Sequence, residues 1–182
     1  LTITFSMKLL TLKISFLFVY LISSTVSYSI EHPNIKNLAV HKEPKKLNNI
    51  EFQNSSNFNV NLQSYKNELV LLNFWATWCA PCVDEMPSLN ELQKNSSFKN
   101  LKIIPINVGK ENLSKAINFY KRLEINNLEV YIDKSQKLAR IFSLRGIPTT
   151  VLINKEGNEF ARIVGPIDFQ DEKFIEWLKN FD

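Results

Sequence analysis

Two cysteines, the only ones in this 182-residue chain, stand three residues apart at Cys79 and Cys82. They directly follow an apolar run at residues 70–75 that predicts a buried strand, and the pattern from Val83 onward predicts a helix. Cys79 is therefore expected at a helix N-terminus, where the backbone dipole favours the thiolate, which is the reactive form of cysteine. Cys82, one helical turn further on, could attack a mixed disulfide formed by Cys79. The spacing thus predicts thiol–disulfide exchange through a redox-active disulfide between these two residues.

Two other interpretations of the C-x-x-C spacing remain open. The pair could be half of a zinc site, but zinc needs four ligands, no other cysteine exists, and the only histidines, His32 and His41, lie in a polar N-terminal stretch. The pair could also be a purely structural disulfide, but closing so short a loop removes little chain entropy. Redox exchange is favoured over both, and neither a metal nor a further cofactor is expected.

The chain from Phe58 onward alternates between predicted strands and helices. Apolar or alternating runs predict strands at residues 58–62, 69–75, 101–108, 130–132, 149–153 and 160–164. Helical spacing of apolar residues predicts helices at residues 81–93, 113–123 and 135–142. Asp168 is expected to cap a last helix that buries Phe174, Ile175 and Leu178. This order of elements predicts an α/β domain.

The segment at residues 73–87, NFWATWCAPCVDEMP, resembles the thioredoxin-fold thiol–disulfide oxidoreductases of the TlpA/ResA/CcmG type. The resemblance runs from about Phe58 to Asp182. A second match, RGIPTT at residues 145–150, looks like the loop that carries the cis-proline of that family. The resemblance implies a thioredoxin fold, with a central mixed β-sheet flanked by helices, an extra N-terminal strand or hairpin, and a central insertion around residues 111–133.

Glu85 is the expected proton acceptor beside the cysteines. It lies three residues after Cys82, so one helical turn brings it to the same face, and the related enzymes carry an acidic residue there. Its carboxylate could raise the pKa of the thiols and accept the proton of Cys82 as that thiol attacks. Ordinary thioredoxins have a buried aspartate at the position of Asn73, and an amide cannot titrate. The alternative for Glu85 is a solvated glutamate on the helix surface.

Three further residues are expected to bind substrate. The resemblance implies that Pro148 forms a cis peptide packed against the cysteine pair, and that the backbone of Ile147 pairs with substrate as an added strand. Trp78 is expected to form an apolar rim around the thiols, together with Trp75 unless that residue belongs to the core. Cys79 is expected to be the exposed thiol.

The N-terminal part has the pattern of an export signal or a membrane anchor at residues 1–29. Met7 is a more natural start than Leu1, and Lys8 and Lys13 precede or enter the apolar run at residues 14–22. Residues 30–57 are rich in Asn, Lys, Glu and Ser and predict a polar linker before a domain at residues 58–182. The protein is thus expected to be exported and periplasmic, either soluble after cleavage or tethered to the inner membrane.

Charge and compartment restrict the partners. Residues 58–182 contain 16 basic and 15 acidic residues, a net charge of +1. This nearly neutral domain gives no reason to expect nucleic-acid binding, which requires a basic surface. The expected substrate is a protein disulfide, and the resemblance suggests apocytochrome c or a copper-site protein of an oxidase. An exported reductase needs an electron donor because no surrounding thiol buffer keeps it reduced, and the resemblance suggests a membrane protein of the DsbD/CcdA type.

Three rival functions are weighed against this one. A Sco-like metallochaperone would need a histidine after the cysteines, and none follows His41. A redox-inactive binding module is the second rival, which a thiol titration of the folded domain before and after dithiothreitol would separate from an oxidoreductase. An oxidase of the DsbA type would need a stabilised thiolate, which Glu85 and the absence of histidine between the cysteines oppose.

Overall fold

The computed structural model describes residues 33–182, in which eight strands form one mixed sheet with helices on both faces. The strands are β1 (Leu38–Lys46), β2 (Glu51–Asn54), β3 (Asn59–Asn61), β4 (Leu69–Trp75), β5 (Leu101–Asn107), β6 (Tyr131–Ile132), β7 (Thr149–Ile153) and β8 (Asn158–Val164). The helices are α1 (Ala80–Gln93), α2 (Leu113–Arg122), α3 (Lys137–Ile141) and α4 (Glu172–Lys179). Across the sheet the order is β1-β8-β7-β4-β5-β6-β2-β3.

Strand β4 is the element that carries the chain to the cysteines. It pairs in parallel with β5 and antiparallel with β7, and all seven of its side chains are buried. A nearly continuous apolar run is what a strand covered on both faces requires, because each alternate side chain meets a different packed layer. The strand ends at Trp75, so the residues that come after it emerge at a well-fixed edge of the sheet.

Two apolar layers hold the helices against the sheet. Helices α1, α2 and α4 contribute to the layer on one face, where Trp75 packs against Phe119 and Tyr120 with ring centroids 4.8 and 5.5 Å away. Helix α3 covers the other face, where Phe142 packs against Phe74. Trp75 is completely buried and is therefore a core residue, not part of an exposed rim.

The prediction that residues 30–57 form a polar linker is wrong where strands β1 and β2 lie. Strand β1 pairs antiparallel with β8, and β2 pairs with both β3 and β6. Ile50 and Phe52 are buried, so this segment contributes to the core. The composition misleads because an edge strand such as β1 satisfies its backbone in the ladder while its polar side chains stay in solvent. The β2–β3 hairpin confirms the expected extra N-terminal element, whereas the predicted export segment at residues 1–29 lies outside the described residues.

The last helix begins later than predicted. The side chain of Asp171, not Asp168, accepts the capping hydrogen bond, from the Phe174 amide at 2.9 Å. Asp168 accepts one from the Gln170 amide instead, which fixes a local turn before the helix. Helix α2 and strand β6 fall within the expected insertion. None of the helices in residues 33–182 has the length and apolar character that crossing a bilayer requires.

Candidate active site

The two cysteines lie where β4 passes into helix α1. Cys79 is the N-cap residue, with φ −88° and ψ 100°, and its carbonyl oxygen accepts hydrogen bonds from the amides of Cys82 and Val83, each at 3.0 Å. Pro81 stands in the first turn of the helix, where its missing N–H costs nothing. The two sulfur atoms form a disulfide with an S–S distance of 2.09 Å. The geometry therefore presents the oxidised form of the predicted pair at a helix N-terminus.

The two sulfur-bearing residues differ in their access to solvent, although less than expected. Cys79 is 5% exposed and Cys82 is fully buried, so Cys79 is the only one of the two with any surface open to solvent. Cys79 is the expected exposed thiol, but in the disulfide its sulfur lies against the loop before β7. The Ile147–Pro148 peptide is cis, as the resemblance implies, and the Cys79 sulfur lies 3.7 Å from the Ile147 carbonyl oxygen.

The rim beside the disulfide is apolar on the side of Trp78. This side chain is 65% exposed, and its indole Nε1 lies 3.5 Å from the Gly109 carbonyl oxygen. Ile147 is partly buried and packs against both apolar layers. The three predicted substrate-binding residues, Trp78, Ile147 and Pro148, therefore lie next to Cys79 in chain or in space.

Glu85 is buried, which excludes the solvated-surface alternative. It is 3% exposed, and its Oε1 accepts a hydrogen bond from Asn73 Nδ2 at 2.9 Å. Burial raises the pKa of Glu85 to about 7, although the Asn73 hydrogen bond and the nearby Ile167 backbone act in the opposite direction. The same Asn73 nitrogen also donates to Thr150 Oγ1 at 2.9 Å. The carboxyl group can thus gain and lose a proton near neutral pH.

Two buried oxygen atoms in this polar pair lack a hydrogen-bond partner among the described residues. They are Glu85 Oε2 and Asn73 Oδ1. An ionised carboxylate here has only the Asn73 side chain and the nearby Ile167 backbone to offset its charge. The shortage of donors acts in the same direction as burial, and with a pKa of about 7 both the neutral and the ionised form of Glu85 are populated at neutral pH.

A second glutamate with a largely buried side chain is Glu111, which no sequence pattern marks as part of the site. It accepts hydrogen bonds from the amide and the hydroxyl of Thr77, from Asn107 Nδ2 at 3.0 Å, and from Lys115 Nζ at 3.0 Å. Burial would raise its pKa, but these donors outweigh that effect and the pKa of Glu111 is lowered. No local pattern could reveal the contact, because Thr77 and Glu111 are 34 residues apart.

Gly109 allows the loop before Cys79 and the loop after β5 to approach closely. A Cβ atom at Gly109 would lie 2.9 Å from the Ala76 Cβ and 3.0 Å from Trp78 Nε1. The hydrogen bonds of Glu111 therefore hold these two loops together, and the lack of a side chain at Gly109 lets them pack this closely.

The two histidines do not complete a metal site with the cysteines in the described residues. His32 lies outside them, and His41 Nε2 pairs with Glu159 Oε1 at 2.8 Å, between β1 and β8. Across residues 33–182, His, Cys, Asp and Glu side chains nowhere gather in threes in a way that could hold a metal ion.

Comparison with known proteins agrees with this geometry. The family model described as Redoxin matches residues 30–174. The chain belongs to the redoxin family. A thiol–disulfide oxidoreductase ResA from Bacillus cereus is 36% identical over 106 residues, which are 58% of this chain and 60% of that protein. The protein of the same name from Bacillus thuringiensis is 33% identical over 121 residues, 66% of this chain and 68% of its own length.

A solved structure supports the fold of this redoxin-family chain. The exposed lipoprotein thioredoxin of Streptococcus pneumoniae is 27% identical, with a TM-score of 0.61 over 73% of this chain and 99% of that one. The expected thioredoxin fold and the expected relation to thiol–disulfide oxidoreductases are therefore confirmed.

Proposed function

We propose that this redoxin-family chain reduces disulfides of protein substrates outside the cytoplasm, by dithiol–disulfide exchange through Cys79 and Cys82. The observation that carries the proposal is the disulfide at the α1 N-terminus with the buried Glu85 one turn further along the same helix. A carboxyl group with a pKa of about 7 can accept a proton from a thiol and release it again at physiological pH.

In the first step, the Cys79 thiolate attacks one sulfur of the substrate disulfide. The substrate S–S bond breaks, a mixed disulfide forms, and the departing substrate sulfur takes up a proton. The helix N-terminus stabilises the attacking thiolate. Trp78 and the cis-Pro148 loop, with the Ile147 backbone, hold the substrate chain beside Cys79 as this bond forms.

In the second step, Cys82 resolves the mixed disulfide. Its thiol gives its proton to the Glu85 carboxylate and its sulfur attacks the Cys79 sulfur, so the second substrate sulfur leaves as a thiolate and is protonated. Two electrons have then passed from the enzyme dithiol to the substrate disulfide, and the enzyme holds the disulfide seen here. An external dithiol must return these electrons, for which a membrane donor of the DsbD/CcdA type is the proposed class.

The reducing direction and the location have separate support. A Glu85 carboxylate disfavours a second negative charge on the thiols, and a poorly stabilised thiolate makes a dithiol a better reductant. The leader-like pattern at residues 1–29 and the solved relative described as an exposed lipoprotein support an extracytoplasmic location. Apocytochrome c or an oxidase copper-site protein remains the proposed substrate class.

Cysteine variants test the exchange reaction. We expect Cys79→Ser to abolish reduction of insulin disulfides, because no other thiol can reach the substrate. Cys82→Ser should accumulate a mixed disulfide that non-reducing electrophoresis detects, because nothing resolves it. Full activity in both variants would contradict the proposal. Equilibration with glutathione tests the direction, since a reductase needs a potential well below that of the glutathione couple.

A further inference from the structure

A groove lies beside the disulfide, between the loop that precedes Cys79 and helix α2. We call it the insertion groove; it has a volume of about 490 Å³, and its defining residues are Thr77, Trp78, Asn112, Lys115, Asn118 and Arg122. Trp78 forms one wall and is the residue next to Cys79 in the chain. A polypeptide bonded to Cys79 therefore has this groove immediately alongside it.

The charged side chains that line the insertion groove, Lys115 and Arg122, are both cationic, and the one carboxylate bonded to its walls, Glu111, pairs with Lys115. Helix α2 carries Lys115, Lys121 and Arg122 and contains neither aspartate nor glutamate. In the part of the chain that the structure describes, Arg122 forms no ion pair, and its guanidinium group lies over the Phe119 ring at 5.5 Å. Stacking on a ring face leaves the N–H groups at the edge of the guanidinium plane free to bind a carboxylate.

The walls of the groove are held in place before any ligand arrives. Glu111 binds both Thr77, on one wall, and Lys115, on the other. Asn112 caps helix α2, since its side chain accepts a hydrogen bond from the Lys115 amide at 2.9 Å. Glu111 neutralises part of the charge of Lys115, but that side chain is 59% exposed and its ammonium group keeps donors free. A pre-organised site loses less entropy when it binds.

We infer that the insertion groove binds an acidic segment of the protein substrate, adjacent in sequence to the disulfide that Cys79 attacks. The inference rests on the proposed function, which it deepens by naming the kind of substrate sequence. Two features carry it: the charge complementarity of Arg122 and Lys115, and the continuity of the groove with Cys79 through Trp78. Binding there raises the local concentration of the substrate disulfide at the nucleophile.

The test uses the full reduced chain and two synthetic peptides. Both peptides contain the same disulfide-bonded loop, and one is flanked by Asp and Glu while the other is flanked by Lys and Arg. An exposed ion pair changes binding by roughly two- to fivefold, so two cations should favour the acidic peptide in kcat/KM by about fivefold or more at low salt. The preference should shrink as salt is added, because exposed charges are screened.

Charge reversal at Arg122 distinguishes recognition from a general structural effect. We expect Arg122→Glu to lose the preference for the acidic peptide and to reduce the basic peptide faster than the original chain does. The matched control is Lys173→Glu, the same charge change on helix α4, which packs against β8 through Trp177 and Phe160 and not against the groove. This control should keep the original preference.

A small neutral disulfide, bis(2-hydroxyethyl) disulfide, separates the inference from the function on which it rests. The inference is wrong if this compound is reduced but the original chain has the same kcat/KM for both peptides. It is also wrong if Arg122→Glu lowers kcat/KM equally for both peptides, because the insertion groove then does not recognise acidic segments. If neither the compound nor any peptide is reduced, the proposed exchange function fails, and the inference falls with it.

Discussion

Glu85, three residues after Cys82, and Glu111, which bonds to Thr77 two residues before Cys79, both have largely buried side chains, yet their pKa values shift in opposite directions. Glu85 has one side-chain donor, Asn73, and an oxygen without a partner among the described residues, and its pKa is raised to about 7. Glu111 has donors from Thr77, Asn107 and Lys115, and its pKa is lowered. Burial raises the pKa of both, but Glu85 is the more deeply buried and Glu111 has the more donors, so the two differences together give the opposite outcomes.

The two loops and the helix around the cysteines thus hold both a proton carrier, Glu85, and a permanent anion, Glu111. A carboxyl group with few donors changes charge at neutral pH, which suits proton transfer from Cys82. A carboxylate saturated with donors stays charged, which suits a fixed connection between two loops. The same residue type thus serves reactivity on helix α1 and geometry at the start of α2.

The largest expected effect is that of removing the titrating group. In Glu85→Gln, the resolution of the mixed disulfide by Cys82 should slow by about a hundredfold at neutral pH, because general-base assistance is lost. The rate should also lose its dependence on pH around 7. Rapid-quench analysis of a preformed mixed disulfide measures both quantities. Glu91→Gln, an exposed change on the same helix, should leave the rate unchanged. An unaltered profile in Glu85→Gln would remove Glu85 from the reaction.

Removing the permanent anion should mainly affect stability. Glu111→Ala leaves Thr77, Asn107 and Lys115 without their acceptor, which should lower the free energy of unfolding by about 2–4 kcal/mol. Urea unfolding measures this loss. Glu176→Ala, which removes an exposed glutamate that pairs with Lys179, should change it by less than about 0.5 kcal/mol. A similarly small effect in Glu111→Ala would show that the loops are held by packing instead.

Unfolding as a function of pH should separate the two glutamates by sign. The folded-state pKa of Glu85 exceeds its ordinary value of 4.5, so its contribution to stability is complete below about pH 4.5 and is lost as the pH rises through about 7. That loss is on the order of 3 kcal/mol. The folded-state pKa of Glu111 is lowered, so its contribution is present above about pH 4.5 and is lost as the pH falls through the lower folded value. Glu85→Gln should flatten the first dependence only, and Glu111→Gln the second only.

The smallest expected effect comes from changing the single side-chain donor of Glu85. Asn73→Asp places a second carboxyl group about where the amide lies, 2.9 Å from Glu85 Oε1, and two carboxylates so close share one proton. The midpoint of the pH dependence of mixed-disulfide resolution should then rise by about one unit. Asn126→Asp, an exposed change after α2, serves as the control. A midpoint that stays near 7 would mean that Asn73 does not govern the proton affinity of Glu85.

The sequence predicts the parts of this region that depend on local pattern. The apolar run of β4, the helix after it and the cysteine spacing each depend on residues close in the chain, and the structure has all three at the expected positions. Burial of Glu85 could not be read from its spacing, because α1 buries polar Glu85 and Asn90 together with its apolar residues.

The sequence does not predict contacts between distant residues, nor the polar strand at the edge of the sheet. The bond between Thr77 and Glu111 depends on how the β5–α2 loop folds back, which no short pattern encodes. Strand β1 is not predicted because its exposed position permits lysines and a proline where an inner strand would need apolar residues.

The early strands have a practical consequence for anyone who trims the chain. A fragment starting at Phe58, the boundary that composition alone suggests, would lack β1 and β2 and with them the buried Ile50 and Phe52. The pairing edges of β8 and β6 would then be bare, and unpaired strand edges invite intermolecular association. A shortened version for crystallisation or assay should therefore begin ahead of Leu38, where the first strand starts.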